Sequence, residues 1–207
     1  MILCAGKSEQ FDFAQPIGIG MVESAVNLSR LFTQKKPDHV VFVGTAGSYG
    51  EKEIFEIIES RTAANVEQSF FAGDSYTPID NVVSLSPQEW EQLQPARVAS
   101  LHRSGSNPTD DKQLSSASRV SRETIVNSSN YITTNEAVWQ HYRAQHIHIE
   151  NMEFFAVMKT AQMYGIPAAG IFIVTNYCNK EAHEDFKKNH AEAMKRLSDY
   201  VKARATA

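Results

Sequence analysis

The chain has 207 residues, of which 42% are hydrophobic and 21% are charged, a balance typical of one globular domain with a substantial core. Its formal net charge of −4 provides no basic surface for nucleic acid or an anionic membrane. No stretch reaches the roughly 20 apolar residues that cross a bilayer, and the start of the chain has no basic leader pattern. The cysteines, Cys4 and Cys178, match no metal-binding spacing and are expected to be reduced thiols. We therefore expect one cytoplasmic domain over residues 1–207.

Apolar runs that end in glycine alternate with a helical pattern in the first half of the chain. MILCAG predicts a buried strand, PIGIG a second apolar run, and the apolar residues from Val22 to Phe32 a helix that KKPD ends. HVVFVGTAGSYG predicts a buried strand that runs into a glycine-rich loop. Further strands are expected within residues 53–60 and 70–86.

The second half begins with a polar segment and then resumes the alternation. Residues 84–121 are rich in serine, proline and charge, and predict a partly flexible segment with a helix around residues 88–93. ETIVNSSNYITT predicts a strand, NEAVWQHYR a helix, and HIHIE a strand. MEFFAVMKTAQMYG is a helix that Gly165 caps, AAGIFIVTN a buried strand, and residues 180–205 an amphipathic helix. Strands that alternate with helices predict an α/β fold with a largely parallel central sheet.

Polar or glycine residues follow the predicted strands at several places. They are Gly18 to Gly20, Gly44 to Ser48, Ser128 to Thr134, Asn176, and the start of the MEFF helix at Asn151, Met152 and Glu153. The carboxyl ends of strands in an open α/β sheet gather on one edge, where a ligand cleft forms. The pattern therefore predicts a binding site that these segments share.

Each of these features also has a simpler interpretation. GTAGS could cradle an anion or hydroxyl with Thr45 and backbone N–H groups, or form an ordinary tight turn. Glu153 could bind a sugar diol, or be an acid that the helix dipole favours at a helix start. Asn176 could present an amide to a ligand or make the turn after its strand. By itself, His190 is typical of a solvated helix face, and the histidines form no HxxxH or HExxH pattern, so no metal is expected.

In this order, the segments resemble the superfamily of purine nucleoside phosphorylases and of methylthioadenosine/adenosylhomocysteine nucleosidases. The matching pieces are PIGIG with its helix, KPDHVVFVGTAGS, SSNYITT, NMEFFAVMKTAQMYGIP and IFIVTN with the final helix. The chain is most similar to small bacterial purine nucleoside phosphorylases. The resemblance implies a three-layer α/β/α fold, whose twisted, largely parallel mixed sheet is partly closed as a barrel and flanked by helices.

The resemblance also implies a role for each matching residue. Glu153 would bind the sugar hydroxyls above Met152, while Tyr131 and Ile132 would flank the base, and Asn176, beside Thr175, would contact it. Thr45, Ala46 and Gly47 would line the substrate site, and His190, fourteen positions after Asn176, would reach the sugar 5′-hydroxyl. The expected phosphate-binding residues are Gly6, Lys7, Gly18, Gly20 and Thr45.

Three positions depart from the patterns of the superfamily. The nucleosidases end the last strand with an aspartate that protonates purine N7, whereas Asn176 is an amide and can hydrogen-bond to N7 and O6 of a 6-oxopurine. Hexameric phosphorylases carry an arginine where this chain has Phe42. The nucleosidases activate water with a glutamate after the first strand, for which Glu9 is the nearest, poorly aligned candidate.

The resemblance leads to one main expectation and two alternatives. The main expectation is a phosphorylase that cleaves the N-glycosidic bond of guanosine or inosine, with inorganic phosphate as co-substrate and no other cofactor. One alternative is a purine nucleosidase, in which water replaces phosphate, and the other is a catalytically silent nucleoside-binding protein. The resemblance further implies a homodimer or a larger homo-oligomer, with neither nucleic acid nor membrane as a partner.

Overall fold

The computed structural model describes residues 1–86, 88, 120–122 and 124–205. Most of the predicted polar segment, including nearly all of the helix expected around residues 88–93, lies outside the described residues. The described strands are β1 Ile2–Cys4, β2 Gln15–Pro16, β3 Val40–Ser48, β4 Ile57–Ser60, β5 Thr62–Ala64, β6 Val82–Ser84, β7 Val120–Arg122, β8 Ile125–Ser128, β9 Ile147–Asn151 and β10 Ala168–Tyr177. The described helices are α1 Gly20–Gln34, α2 Gln68–Ala72, α3 Trp139–Ala144, α4 Phe154–Met163 and α5 Ala182–Ala205.

The described strands form one mixed sheet in the order β6-β5-β8-β9-β3-β10-β4-β7, with β1 beside β3 and β2 beside β1. β10 runs parallel to β3 over its full length, and β8 runs parallel to β9. The antiparallel pairs are β3 with β9, β10 with β4 and β5 with β6. This arrangement confirms the predicted α/β fold with a largely parallel mixed sheet.

Helices cover both faces of this sheet because alternate residues of its central strands point to opposite sides. On one face, Phe42 of β3 and Phe172 of β10 belong to a core cluster that includes residues of α1 and α4. On the other face, Val43 and Ile171 belong to a second cluster with Ala193 and other residues of α5. The outcome is the expected three-layer arrangement.

Two predicted strands are shorter than expected because the local backbone turns. Residues 53–60 form a strand only from Ile57, since Phe55 has a φ of 68° and the N–H of Glu56 bonds back to the carbonyl of Glu53. PIGIG contributes only Pro16 to a strand, because the backbone then turns into α1.

The strand predicted within residues 70–86 is mostly wrong. Phe70 and Phe71 lie in the short helix α2, which Gly73 ends in the left-handed conformation with a φ of 76°. Only β6 is extended in this region. The helix pattern here was too short to distinguish from a strand by its apolar residues alone.

Candidate active site

A cavity of about 270 Å³ lies where the carboxyl ends of β3, β9 and β10 meet. β3 and β10 are parallel and end side by side, while β9 crosses β3 at Gly47, which faces Glu150. The start of α5 and residues 129–133, which we call the base loop, form further walls. The size of the cavity is close to the lower end of small-molecule sites, which run from roughly 300 Å³.

The cavity brings together most of the residues that the sequence analysis selected. Those that line it are Gly6, Thr45, Ala46, Gly47, Tyr131, Ile132, Met152, Glu153 and Asn176. Those that do not line it are Lys7, Gly18, Gly20, Thr175 and His190. The expected edge of the sheet is therefore where the cavity lies, but the residues predicted to bind phosphate are divided.

The backbone N–H groups of the first glycine segment already have partners within the protein. The N–H of Gly18 donates to the carbonyl of Ala5 at 3.0 Å, and the N–H of Gly20 donates to Oε1 of Glu153 at 2.9 Å. The side chain of Lys7 is exposed. Phosphate binding by these three residues stays a prediction. The hydrogen bonds within the protein do not favour it for Gly18 and Gly20, because their N–H groups already have acceptors.

The turn after β1 places Glu9 in the cavity. Gly6 and Glu9 exchange two backbone hydrogen bonds of 3.2 and 3.0 Å, and positive φ angles at Gly6 and Lys7 close the turn. Phe11 and Phe13, which follow, pack against the core cluster that includes residues of α5. The turn before Glu9 and the packed phenylalanines after it therefore fix its position. From the sequence, Glu9 was only a poorly aligned candidate for this place.

Thr45 holds the carboxylate of Glu9 with both of its donors. The backbone N–H of Thr45 lies 3.1 Å from Oε2 of Glu9, and the Thr45 hydroxyl donates to Oε1. Burial raises the pKa of Glu9, while the hydrogen bonds from Thr45 and the nearby His190 oppose this rise. A carboxylate with a raised pKa at a cavity wall is suited to take a proton from a bound water.

Glu153 is a second carboxylate of the cavity and is only 3% exposed. Asn151 prepares its position, because Oδ1 of Asn151 accepts from the N–H groups of Glu153 and Phe154 at 2.8 and 3.0 Å. The Nδ2 of Asn151 donates to the carbonyl of Thr45 at 3.1 Å, which ties the start of α4 to β3. Burial raises the pKa of Glu153 to about 7, and the charge of Glu9 contributes to this rise.

Asn176 reaches the cavity through an irregularity near the end of β10. The register with β3 shifts between Val174 and Asn176, which are paired with Ala46 and Gly47. Such bulges re-aim side chains and are frequent beside active sites. The Asn176 Oδ1 accepts from the hydroxyl of Thr175 at 2.9 Å, and its Nδ2 donates to the carbonyl of Tyr177 at 3.1 Å. The amide is thus oriented by its neighbours rather than free to rotate.

The start of α5 presents Phe186 and His183 to the cavity, in place of the predicted His190. His190 lies behind Phe186, with the ring centroids 5.0 Å apart, and its Nε2 is buried without a hydrogen-bond partner among the described residues. The helical spacing of Ala182 and Phe186, four residues apart, would have identified this wall. The predicted contact of His190 with a 5′-hydroxyl stays a prediction.

Glu150 also lines the cavity, and the sequence analysis did not select it. The only signal was its place at the end of the strand HIHIE, immediately before the selected Asn151. Phe42, where hexameric phosphorylases have an arginine, is fully buried and packs against Phe154 and Phe172 with centroid distances of 6.4 and 5.9 Å. It contributes nothing to the cavity.

None of the helices in the described part of the chain is long and apolar enough to cross a membrane. Among the residues with described positions, no three His, Cys, Asp or Glu side chains are grouped as metal ligands would be.

Solved structures of about the same size share this fold. A Helicobacter pylori 5′-methylthioadenosine/S-adenosylhomocysteine nucleosidase in complex with a substituted pyrrolidin-3-ol superimposes with a TM-score of 0.73 at 14% identity, covering 99% of this chain and 96% of that one. A futalosine hydrolase mutant of the same organism gives a TM-score of 0.74 at 15% identity, covering 99% and 97%. The Streptococcus pneumoniae 5′-methylthioadenosine/S-adenosylhomocysteine nucleosidase with a transition-state inhibitor gives 0.72 at 15%, covering 98% and 96%.

No curated protein matches the sequence. The sequence pattern of the family described as "Phosphorylase superfamily" matches residues 7–205. Because this match spans nearly the whole chain, the chain belongs to the phosphorylase superfamily.

Proposed function

We propose that the protein is a purine nucleosidase that hydrolyses the N-glycosidic bond of a purine nucleoside. The observation that carries this proposal is the carboxylate of Glu9, which lies at the cavity wall and takes up both donors of Thr45. From the superfamily resemblance, those donors were expected to bind phosphate. The alternative with water as nucleophile therefore has more support than the phosphorylase expectation.

The charges of the cavity also favour water over phosphate. Among the described residues, three carboxyl groups line the cavity, from Glu9, Glu150 and Glu153, and none of the described lining residues is a lysine or arginine. A phosphate dianion between carboxylates would be repelled unless cationic or N–H donors offset the charge. A neutral water meets no such repulsion, and the structures compared above are named as nucleosidases or a hydrolase.

In the proposed reaction Glu9 is the general base. The oxygen of a water bound beside Glu9 attacks C1′ of the sugar, and the water proton passes to the carboxylate of Glu9. The bond between C1′ and N9 breaks, and its electron pair leaves with the purine, which takes a proton from solvent. Thr45 keeps the Glu9 carboxylate oriented through its two hydrogen bonds.

Glu153 and Met152 bind the ribose in this proposal. C1′ gains positive charge as the base departs, so the ionised form of Glu153 stabilises the transition state more than the ground state. The hydrogen bond from Gly20 to one oxygen of Glu153 leaves the carboxylate fixed in the direction of the cavity. Its burial makes this interaction stronger than it would be in water.

Asn176 recognises the base in this proposal and favours a 6-oxopurine. Its amide can donate a hydrogen bond to N7 or O6 of hypoxanthine or guanine, and thereby stabilises the departing purine anion. It cannot protonate N7, because an amide has no acidic proton at neutral pH. Inosine and guanosine are therefore the proposed substrates, with Tyr131 and Ile132 beside the base.

The test is release of hypoxanthine from inosine by the purified protein in phosphate-free buffer, compared with the same buffer containing phosphate. We expect equal release and free ribose as the second product. Release that requires phosphate and yields ribose 1-phosphate would contradict the proposal and restore the phosphorylase expectation. Binding of inosine without release under either condition would indicate the silent binding protein.

We also propose a homo-oligomer whose contact surface adjoins the cavity. Val22 and Val26 lie one turn apart on α1 and are 70% and 63% exposed, and Tyr131 and Ile132 of the base loop are 84% and 54% exposed. The N–H of Met21 in α1 donates to Oδ1 of Asn130 in the base loop, so the two segments that carry these apolar side chains are adjacent. Adjacent exposed apolar groups favour association.

A further inference from the structure

The base loop is attached to the rest of the molecule near each of its ends. At one end, Oδ1 of Asn130 accepts from the N–H of Met21 at 3.1 Å. At the other end, Thr133, which is only 4% exposed, donates its N–H to Oε1 of Glu150 at 2.8 Å and its hydroxyl to Oε2 at 2.7 Å. Tyr131 and Ile132 lie between these attachments and line the cavity. Their position therefore depends on Glu150.

Glu150 joins the base loop to two strands of the sheet. The hydroxyl of Tyr49, just after β3, donates to Oε2 of Glu150 at 2.7 Å. The thiol of Cys178, just after β10, lies near Glu150, and burial, together with the charge of Glu150, raises the pKa of that thiol well above its ordinary value. One buried carboxylate thus connects the base loop with Tyr49 after β3 and lies near Cys178 after β10.

The number of these donors decides what Glu150 can do. A carboxylate has about four lone-pair sites, and Tyr49 together with the two donors of Thr133 fills three of them. Glu150 lines the cavity, but most of its acceptor sites are used within the protein. It therefore acts through the groups that it holds, whereas Glu9 and Glu153 retain capacity for a ligand.

The same carboxylate lies beside the residue proposed to recognise the base. A Cβ atom built on Gly47 would be 3.0 Å from Nδ2 of Asn176, 2.9 Å from Sγ of Cys178 and 3.5 Å from Cγ of Glu150. These three side chains converge on the space that a glycine leaves open. A displacement of Glu150 would consequently alter the positions of both the base loop and Asn176.

We propose that Glu150 is a positioning residue for recognition of the purine base, which it serves by fixing Thr133 and thus the base loop relative to Asn176. This proposal rests on the proposed nucleosidase function, since the base site belongs to that function. Loss of the clamp releases Tyr131 and Ile132 from their place beside the base. Contacts that exist equally in the substrate complex and the transition state then weaken, so KM rises while kcat changes little.

The first experiment compares Thr133→Val with Thr133→Ser and with Thr134→Val, the same substitution at the exposed next residue. Thr133→Val removes one donor to Glu150, and we expect its KM for inosine to rise about tenfold. Thr133→Ser keeps both donors and should restore the wild-type KM, and Thr134→Val should not alter it. KM does not depend on the fraction of folded enzyme, so a general loss of stability cannot imitate this result.

A second measurement keeps the inference separate from the proposed function. Calorimetric titration with hypoxanthine tests the base site without turnover, and we expect the dissociation constants of Thr133→Val and Glu150→Gln to rise about tenfold as well. If the wild type binds hypoxanthine but hydrolyses no nucleoside, the proposed function fails and this comparison still decides the role of Glu150. Wild-type affinity in both folded variants would overturn the inference. The inference would also be overturned if neither variant folds, or if the wild type does not bind hypoxanthine.

Discussion

The buried carboxyl group of Glu153 predicts how the stability of the protein changes with pH. Glu153 is 3% exposed, and its burial raises its pKa from an ordinary value of 4.5 to about 7. The folded state therefore holds the proton more tightly than the unfolded state does. The resulting contribution to stability is fully present below pH 4.5 and is lost as the pH rises through about 7.

The size of this contribution follows from the two pKa values. A difference of one pKa unit corresponds to about 1.36 kcal/mol, so the change from 4.5 to about 7 corresponds to about 3 kcal/mol. Glu153→Gln removes the titrating group and retains an oxygen that can accept from the N–H of Gly20. The free energy of unfolding of the variant, relative to that of the wild type, should therefore increase by about 3 kcal/mol from low to high pH.

The assay is urea unfolding of both proteins across this range, followed by circular dichroism. The difference in unfolding free energy between variant and wild type should increase from about pH 4 to about pH 8 and then level off. Glu136→Gln, which changes an exposed glutamate, serves as the control and should follow the wild type. If the unfolding free energies of Glu153→Gln and the wild type change with pH in parallel, the conclusion that Glu153 is a buried carboxyl group with a raised pKa is refuted.

Further predictions concern catalysis, specificity and assembly. Glu9→Gln should lower kcat for hypoxanthine release by roughly 10²-fold or more with little change in KM, and an unaltered kcat would exclude Glu9 as the base. The wild-type kcat/KM should fall as the pH drops below about 7, because Glu153 becomes protonated. In Glu153→Gln the pH at which kcat/KM decreases should differ from that of the wild type. Asn176→Asp should shift the preference from inosine towards adenosine by about tenfold, since a carboxylate accepts from the 6-amino group but repels O6, and an unchanged ratio would contradict the base contact. Val22→Asp should reduce the molar mass seen by light scattering to that of the monomer, whereas an unchanged mass would place the interface elsewhere.

Local patterns in the sequence were sufficient for the main elements of the fold. α4 and β10 are long, strongly apolar segments that the described structure contains close to their predicted bounds. The loop predicted at GTAGS is wrong, because β3 continues through these residues to Ser48, where it pairs with β10. Residues 70–86 were misread, because a short aromatic run has no period long enough to separate a helix from a strand. Length and periodicity thus decided where prediction of secondary structure worked.

The sequence also identified much of the cavity wall, since strand ends in an α/β sheet share an edge. Thr45, Glu153 and Asn176 follow from that rule together with the superfamily resemblance, and all three line the cavity. Glu150 did not follow from it, because the role proposed for Glu150 depends on hydrogen bonds from Tyr49 and Thr133, which are distant from it along the chain.

The sequence by itself determined an α/β fold, the superfamily resemblance and the place of the Asn176 amide near the end of the last strand, at the cavity. Only the tertiary structure decided that Glu9 belongs to the cavity, where the turn after β1 brings it to Thr45 across 36 positions of sequence. That contact depends on the packing of Phe11 and Phe13 and on the direction of β3, and no local pattern encodes it. Residues that meet through the packing of separate elements can be assigned chemistry only when their positions in space are known.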